Sequence, residues 1–482
     1  MIRTGKEPSH QTDMTVGPLL VNIVKFILPL IFTNLLQQFY HAADVMIVGL
    51  SSDPDAVGAV GSVGSYLALI RNLFIGFSVG ANVVVAQNIG AGDRERTTRS
   101  VHTSVCMSLL FGVVGAAIGI ALSRPVLSAM GYGGNLLTLG LRYSFIYLAC
   151  MPFLSLTNVL CAILRAQGNT QTSLYVLTGT GILNIVLNLF FVTFLHFSVE
   201  GVAIATAIAN LASACILWAY LAKDRGDCRL CFCKLRIHRK EFLTVARIGI
   251  PSGIQSSLFS VSNILIQSSI LSVNNAVTPP DATYAPVIKG NTAASSIETF
   301  ILQALDAATT TAATFTAQNA GASKYDRVRR AFGCICLISA VAATVLSGAG
   351  MLLRDPLLAL YGVQNTEDPL GSLAYGAATT RIFWKWPAIF IYAIMNTCAG
   401  TIRGLGRSTL STVIAFFGSC VLRIVWIYTV FAYFFNLETI YLSYPVSWLI
   451  TGLLFLTVVF YLFRRYQGIG EKTTRSQFIT QK

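Results

Sequence analysis

The sequence predicts an all-α integral membrane protein whose twelve transmembrane helices form two homologous six-helix lobes. Three observations carry that prediction. Of 482 residues, 54% are hydrophobic and only 11% are charged, where a soluble domain would be about 25% charged. Apolar runs long enough to cross about 30 Å of hydrocarbon, roughly 20 residues each, recur along the whole chain. Three short motifs occur twice, once in each half and in the same order.

The apolar runs are 18–48, 57–85, 97–122, 133–160, 171–196, 201–222, 243–273, 288–317, 328–353, 370–399, 409–434 and 440–464, numbered here as spans 1 to 12. Spans 1, 2, 7, 8 and 10 are longer than a bilayer needs, which implies tilt or extension rather than extra crossings. The first 16 residues are polar and no small-residue cleavage site follows span 1, so that span reads as a retained helix and not a signal peptide.

Orientation follows from the basic residues, which collect in short cytoplasmic loops. With both termini inside, 26 of the 34 lysines and arginines fall on the inner side, against four outside (Arg124, Arg142, Lys289, Arg354) and four within spans (Arg71, Arg381, Lys385, Arg423). The division is then a cytoplasmic segment 1–17, a first lobe 18–222, a basic linker 223–242, a second lobe 243–465 and a cytoplasmic tail 466–482. A net charge of +14 is explained by this orientation in a plasma membrane and by attraction to anionic lipid. It gives no support to a nucleic-acid partner.

The repeats justify the two lobes. KFILPL at 25–30 aligns with RIGIPS at 247–252, AQNIGAGDRERTTR at 86–99 with AQNAGASKYDRVRR at 317–330, and ILRAQGNTQTS at 163–173 with TIRGLGRSTLS at 401–411. Six crossings return a chain to its starting side, so the lobes share one orientation and are expected to be related by a pseudo-two-fold axis along the membrane normal. AQNIGAGD resembles a phosphate-cradling loop, but no strand precedes it and no GKS or GKT follows, so it reads as an elbow between spans 2 and 3. Cys228, Cys231, Cys233 and His238 lie close together in the linker, yet a second CxxC is missing and the spacing fits no zinc template. They read as loop thiols, and neither a metal nor a cofactor is expected.

Ionisable residues at membrane depth cost roughly 2.5 to 3.5 kcal/mol each on insertion scales and therefore mark function. Three acids qualify, Asp44 on span 1 and Glu298 and Asp306 on span 8. Gln38, Tyr40 and His41 precede Asp44, and i to i+3 spacing puts His41 on its helix face, as a proton pair or a structural one. On span 8, Asn291, Ser295, Glu298 and Thr309 form one stripe, with Asp306 about 80° away at about 100° per residue, and this face is expected to line water. Gln255 and several serines give span 7 a polar face that suits either a cavity or close packing. Arg381 and Lys385, one turn apart on span 10, could neutralise span 8 or meet an anionic solute.

Together these residues resemble a known family, the multidrug and toxic compound extrusion (MATE) transporters, in its bacterial DinF-type branch. QQFYHAADVMIVG ending span 1, the two elbows, ILRAQGNTQTS with TIRGLGRSTLS, and GSCVLRIVWIYTVF at 418–431 carry the likeness, which extends from about residue 17 to 465. The resemblance implies export of organic, often cationic and amphipathic solutes in exchange for protons or sodium ions. It also implies a first-lobe site: an aspartate on the first helix matches Asp44, an asparagine on the fifth matches Asn184, and a threonine on the sixth matches Thr206. The family's second aspartate is replaced by Asn188, and its asparagine before Asp44 by His41.

One carboxylate fewer disfavours sodium, a hard cation that prefers anionic oxygen ligands, so protons are the expected coupling ion and sodium the alternative. The coupling set is then Asp44, His41, Asn184, Asn188 and Thr206, and the solute cavity Gln38, Tyr40, Gln255, Asn291, Glu298, Asp306, Arg381 and Lys385. A lipid-linked oligosaccharide flippase of the same superfamily usually has fourteen helices, and a membrane-embedded enzyme would need a catalytic set that is not apparent. The chain is expected to act as a monomer on small organic molecules, without enzymatic chemistry.

Overall fold

The computed structural model describes residues 12–50, 56–129, 134–279, 282 and 284–480, which form helices and turns with no strand among them. Span 1 is the helix Leu19–Val48, span 2 Ala56–Ala91 and span 3 Arg94–Ala129. Span 4 is broken, its pieces Gly134–Ala149 and Met151–Ala166 meeting at 47°, with Pro152 in the first turn of the second piece, where a missing N–H is tolerated. Span 5, Thr170–Leu189, continues as a π-helix over Phe190–Phe194, and span 6 is Val199–Lys223.

Span 7 is Arg239–Val277, span 8 Pro286–Gly321 and span 9 Tyr325–Leu352, followed by a short helix Arg354–Ala359 that the hydropathy pattern does not predict. Span 10 runs Pro369–Lys385 and Ile389–Gly404 around a 3-10 turn at Trp386–Ala388. Span 11 alternates α-helix, Ser408–Ala415 and Leu422–Trp426, with π-helix, Phe416–Val421 and Ile427–Phe431. Span 12, Leu437–Thr480, carries the helix well past residue 464. Among the described residues nine helices are long and apolar enough to cross a membrane, or ten with both pieces of span 4 taken as one. Spans 8 and 10 fall outside that count, and they carry Glu298, Asp306, Arg381 and Lys385.

The chain separates into two compact units, residues 1–256 with 317–324, and residues 257–316 with 325–482. The break falls inside span 7, and the second elbow goes with the first unit. Glycine explains both. Gly76 and Gly80 on span 2 admit the backbone of span 7 at Gly249 and Gly253 so closely that a Cβ would have no room, the small-residue packing membrane helices use.

The elbows interlock reciprocally within the first unit, since a Cβ on Gly90 would strike the Gln318 backbone and one on Gly321 the Gln87 backbone. The second elbow is tied down further. Gln318 Nε2 donates to the Ala166 carbonyl at 2.5 Å, Asn319 Nδ2 to the Met14 carbonyl at 3.2 Å and Lys324 Nζ to the Thr15 carbonyl at 2.8 Å. The third repeat is a matched turn, in which Gly168 and Gly406 take φ of 82° and 76°, values open to glycine at no steric cost. In the second unit Gly400 and Gly404 of span 10 lie against the Thr309 and Ala313 carbonyls of span 8, which seats the two polar spans side by side.

Candidate functional site

In the first unit Asp44 ends a helix that begins at Leu19 and passes Pro29, whose ring removes one backbone donor from the ladder. Its carboxylate is 8% exposed. Asn184 and Asn188 sit four residues apart on span 5, hence on one face, and both turn toward it. Asn188 Nδ2 donates to Asp44 Oδ1 at 2.5 Å. Asn184, in the amide orientation that satisfies both of its ends, donates to Asp44 Oδ1 at 3.0 Å and accepts from the Thr206 backbone N–H at 3.3 Å. Among the described residues no base forms an ion pair with Asp44, and the buried Asn188 Oδ1 has no hydrogen-bond partner.

His41 shares the helix face but not the network, because its Nε2 lies 3.4 Å from Arg71 Nη1 on span 2. Tyr40 is packed rather than free: its ring covers Gly181 and its hydroxyl donates to the Thr178 carbonyl at 3.2 Å. Gln38 is half-buried and Gln255 buried, both in this unit. Two residues that sequence reasoning missed, Tyr143 and Tyr147 on span 4, lie within electrostatic reach of Asp44 and Arg71. Their signal was available as an i, i+4 tyrosine pair in an otherwise apolar run.

The second unit holds a denser network. Glu298, 2% exposed, receives Arg381 Nε on Oε2 at 3.0 Å and Lys385 Nζ on Oε1 at 2.6 Å. Arg381 Nη1 also donates to Asn291 Oδ1 at 2.6 Å, which accepts Tyr441 Oη at 3.0 Å, while Asn291 Nδ2 donates to Gln267 at 3.2 Å. Both bases of span 10 thus meet Glu298, whereas Asp306 faces Arg403 and Tyr392. Of the stripe on span 8, Asn291 and Glu298 are buried against spans 10 and 12, while Ser295 and Thr309 are half-buried. Tyr441, Tyr444 and Trp448, unremarked in the sequence, recur at i, i+3 and i+7 and share one face of span 12.

In the linker Cys228 is buried, Cys231 half-buried and Cys233 exposed. Burial pushes the Cys228 thiol up, so it keeps its proton. His238 Nδ1 lies 3.3 Å from Thr103 Oγ1. Among the described residues no group of three or more His, Cys, Asp or Glu could hold a metal ion.

The MatE family model matches residues 29–190 and again residues 287–429, together more than half of the chain and one stretch in each half. The chain belongs to the MatE family. Its members are transporters and not enzymes, and the twofold match agrees with the duplicated motifs. The probable multidrug resistance protein YoeA of Bacillus subtilis (strain 168) is 25% identical, covering 99% of this chain and 100% of its own. The multidrug export protein MepA of Staphylococcus aureus (strain NCTC 8325 / PS 47) is 25% identical over 52% of this chain and 55% of its own.

Solved structures share the MatE fold of twelve helices in two lobes. MATE in the straight conformation superposes with a TM-score of 0.84 at 19% identity, covering 94% of this chain and 98% of that one. A MOP superfamily transporter from Pyrococcus furiosus, for which reverse polarity of the binding pocket suggests a different function, gives 0.87 at 19% identity, covering 96% and 100%. Asp44, Asn184, Asn188 and Thr206, expected from the resemblance to form one first-lobe site, lie together in one cluster.

Proposed function

We propose that this MatE protein is a multidrug efflux antiporter that exports amphipathic organic compounds across the cell membrane in exchange for protons, with both termini in the cytoplasm. The names of YoeA and MepA support the drug reading, and the basic residues of the inner loops support the orientation. Asp44 is the coupling carboxylate. The observation that carries this assignment is the company it keeps, for a buried acid met only by neutral amides changes its whole local charge when one proton binds. Sodium would need several oxygen ligands, but both amides turn N–H toward Asp44.

Protonation from outside removes the charge and releases the grip of spans 1 and 5 on each other, and span 1 repacks at Pro29. Solute then leaves outward. A proton moving inward down 100 mV supplies about 2.3 kcal/mol, and it drives the cycle only through different affinities in the two states. Dye uptake into inside-out vesicles under an imposed pH gradient tests this. Wild-type protein accumulates dye in proportion to the gradient and Asp44→Asn does not, while full activity of Asp44→Asn would overturn the assignment.

A further inference from the structure

The proposed efflux reading leaves the charge of the solute open, and the second unit bears on it. Three cationic side chains, Arg381, Lys385 and Arg423, are each 3% exposed and gather around Tyr444 and Tyr441, with Glu298 as their one carboxylate. The cluster therefore carries a formal surplus of two positive charges at membrane depth. Arg423 has no carboxylate partner among the described residues. Its Nε donates to the neutral Ser447 Oγ at 2.9 Å and its guanidinium lies 4.3 Å from the Tyr444 ring centre, while Lys385 Nζ lies 3.6 Å from the same ring. Aromatic faces attract cations, but they do not replace a counter-ion for a charge taken out of water.

The backbone points to the same place. Lys385 is the last residue before the 3-10 turn of span 10, and Arg423 sits in a five-residue α-helical segment flanked on both sides by π-helix. Pro445, beside Tyr444 inside the continuous helix of span 12, removes one backbone donor. π-helical turns concentrate at functional sites, and broken helices line solute sites in membrane transporters. Two irregular helices meeting at one basic cluster are more than a structural ion pair needs, since Arg381 and Lys385 already share Glu298 and Arg423 does not.

We propose that this cluster is an anion-recognition site, in which Lys385 and Arg423 hold the carboxylate, sulfonate or phosphate group of a transported organic solute and Tyr441, Tyr444 and Trp448 pack its apolar body. It rests on the efflux reading and narrows it to solutes that bear an anionic group. Arginine suits the task through its fork of donors, which matches planar and tetrahedral anions.

The test uses the full chain in nanodiscs and proteoliposomes, with carboxyfluorescein as the anionic probe and rhodamine 6G as the cationic one. Wild-type protein binds carboxyfluorescein, Arg423→Gln weakens that binding at least tenfold, and Arg423→Lys restores part of it, with thermal unfolding confirming that each variant is folded. If Arg423→Gln does not fold, Arg423→Lys alone carries the test: it keeps the charge but loses the guanidinium fork, weakening carboxyfluorescein binding severalfold, and unchanged binding overturns the role of Arg423. Nanodiscs with and without phosphatidylglycerol separate the sources of the anion: equal affinity in both assigns it to the solute, and a tenfold loss in the anionic disc overturns that assignment in favour of a lipid headgroup. Rhodamine export without any carboxyfluorescein binding overturns the anion site and leaves efflux standing. Export of neither probe overturns the efflux reading itself.

Discussion

Asp44 and Glu298 are both carboxylates buried at membrane depth, yet one meets two amides and the other two bases. The difference decides what each can do. Glu298 is held by Arg381 and Lys385, and protonating it would strand two positive charges. Asp44 has donors but, among the described residues, no counter-ion, so a proton relieves its charge. A duplicated scaffold has thus kept a titratable acid in one unit and a fixed ion cluster in the other.

The same chemical change, acid to amide, separates the two. Glu298→Gln leaves Arg381 and Lys385 buried without their carboxylate, and breaking a buried pair on one side costs about 3 to 5 kcal/mol. A large fall in apparent Tm at a fixed scan rate is the expected outcome, and Glu298→Gln with Lys385→Met recovers part of it. Asp44→Asn, by contrast, loses charge-assisted bonds but also a desolvation cost, so stability shifts by no more than about 1 kcal/mol while coupled transport is lost. Similar Tm values for the two single variants would erase the distinction.

Whether the scaffold treats its halves alike where the sites differ is the next test. Gly90 and Gly321 occupy matching places in the two elbows, each against the other elbow's glutamine backbone. Alanine is the better helix former by about 1 kcal/mol, but here its Cβ must push two backbones apart, and such overpacking costs about 1 to 3 kcal/mol. Gly90→Ala and Gly321→Ala should lower Tm by similar amounts. A clear inequality would mean that the elbows have diverged along with the sites.

Much of this was legible in the sequence, and what was not has physical reasons. Apolar runs and repeated motifs marked twelve segments that are helical in the structure, and among the described residues nine, or ten with both pieces of span 4 taken as one, are apolar enough to cross a membrane, because crossing hydrocarbon leaves little freedom in composition. Asn184 and Asn188 were legible only through the family resemblance. Helix periodicity says which residues share a side, but not which neighbouring helix they meet. Hence His41 was placed with Asp44 when its ring reaches Arg71, and Tyr40 was placed in a cavity when Gly181 makes room for its ring. The π-helical turns around Arg423 have no residue signature, and Ser256, where the units divide, lies within an unbroken helix.

His41 gives the finest test of the Asp44 site. If the imidazole passed protons to Asp44, removing it would shift the pH dependence of export or slow it severely. The geometry gives it another task, since its Nε2 lies 3.4 Å from Arg71 and Asp44 is occupied by Asn184 and Asn188. His41→Gln keeps a polar group beside Arg71 and leaves the Asp44 amides untouched. Export should then fall by about twofold, near the lower end, about 0.5 kcal/mol, of what a lost hydrogen bond costs, and the pH profile measured in vesicles should keep its midpoint. A displaced midpoint in His41→Gln would place the imidazole in the proton path and make the first-unit site a pair of titrating groups, which would remove the contrast between one isolated acid and one fixed ion cluster.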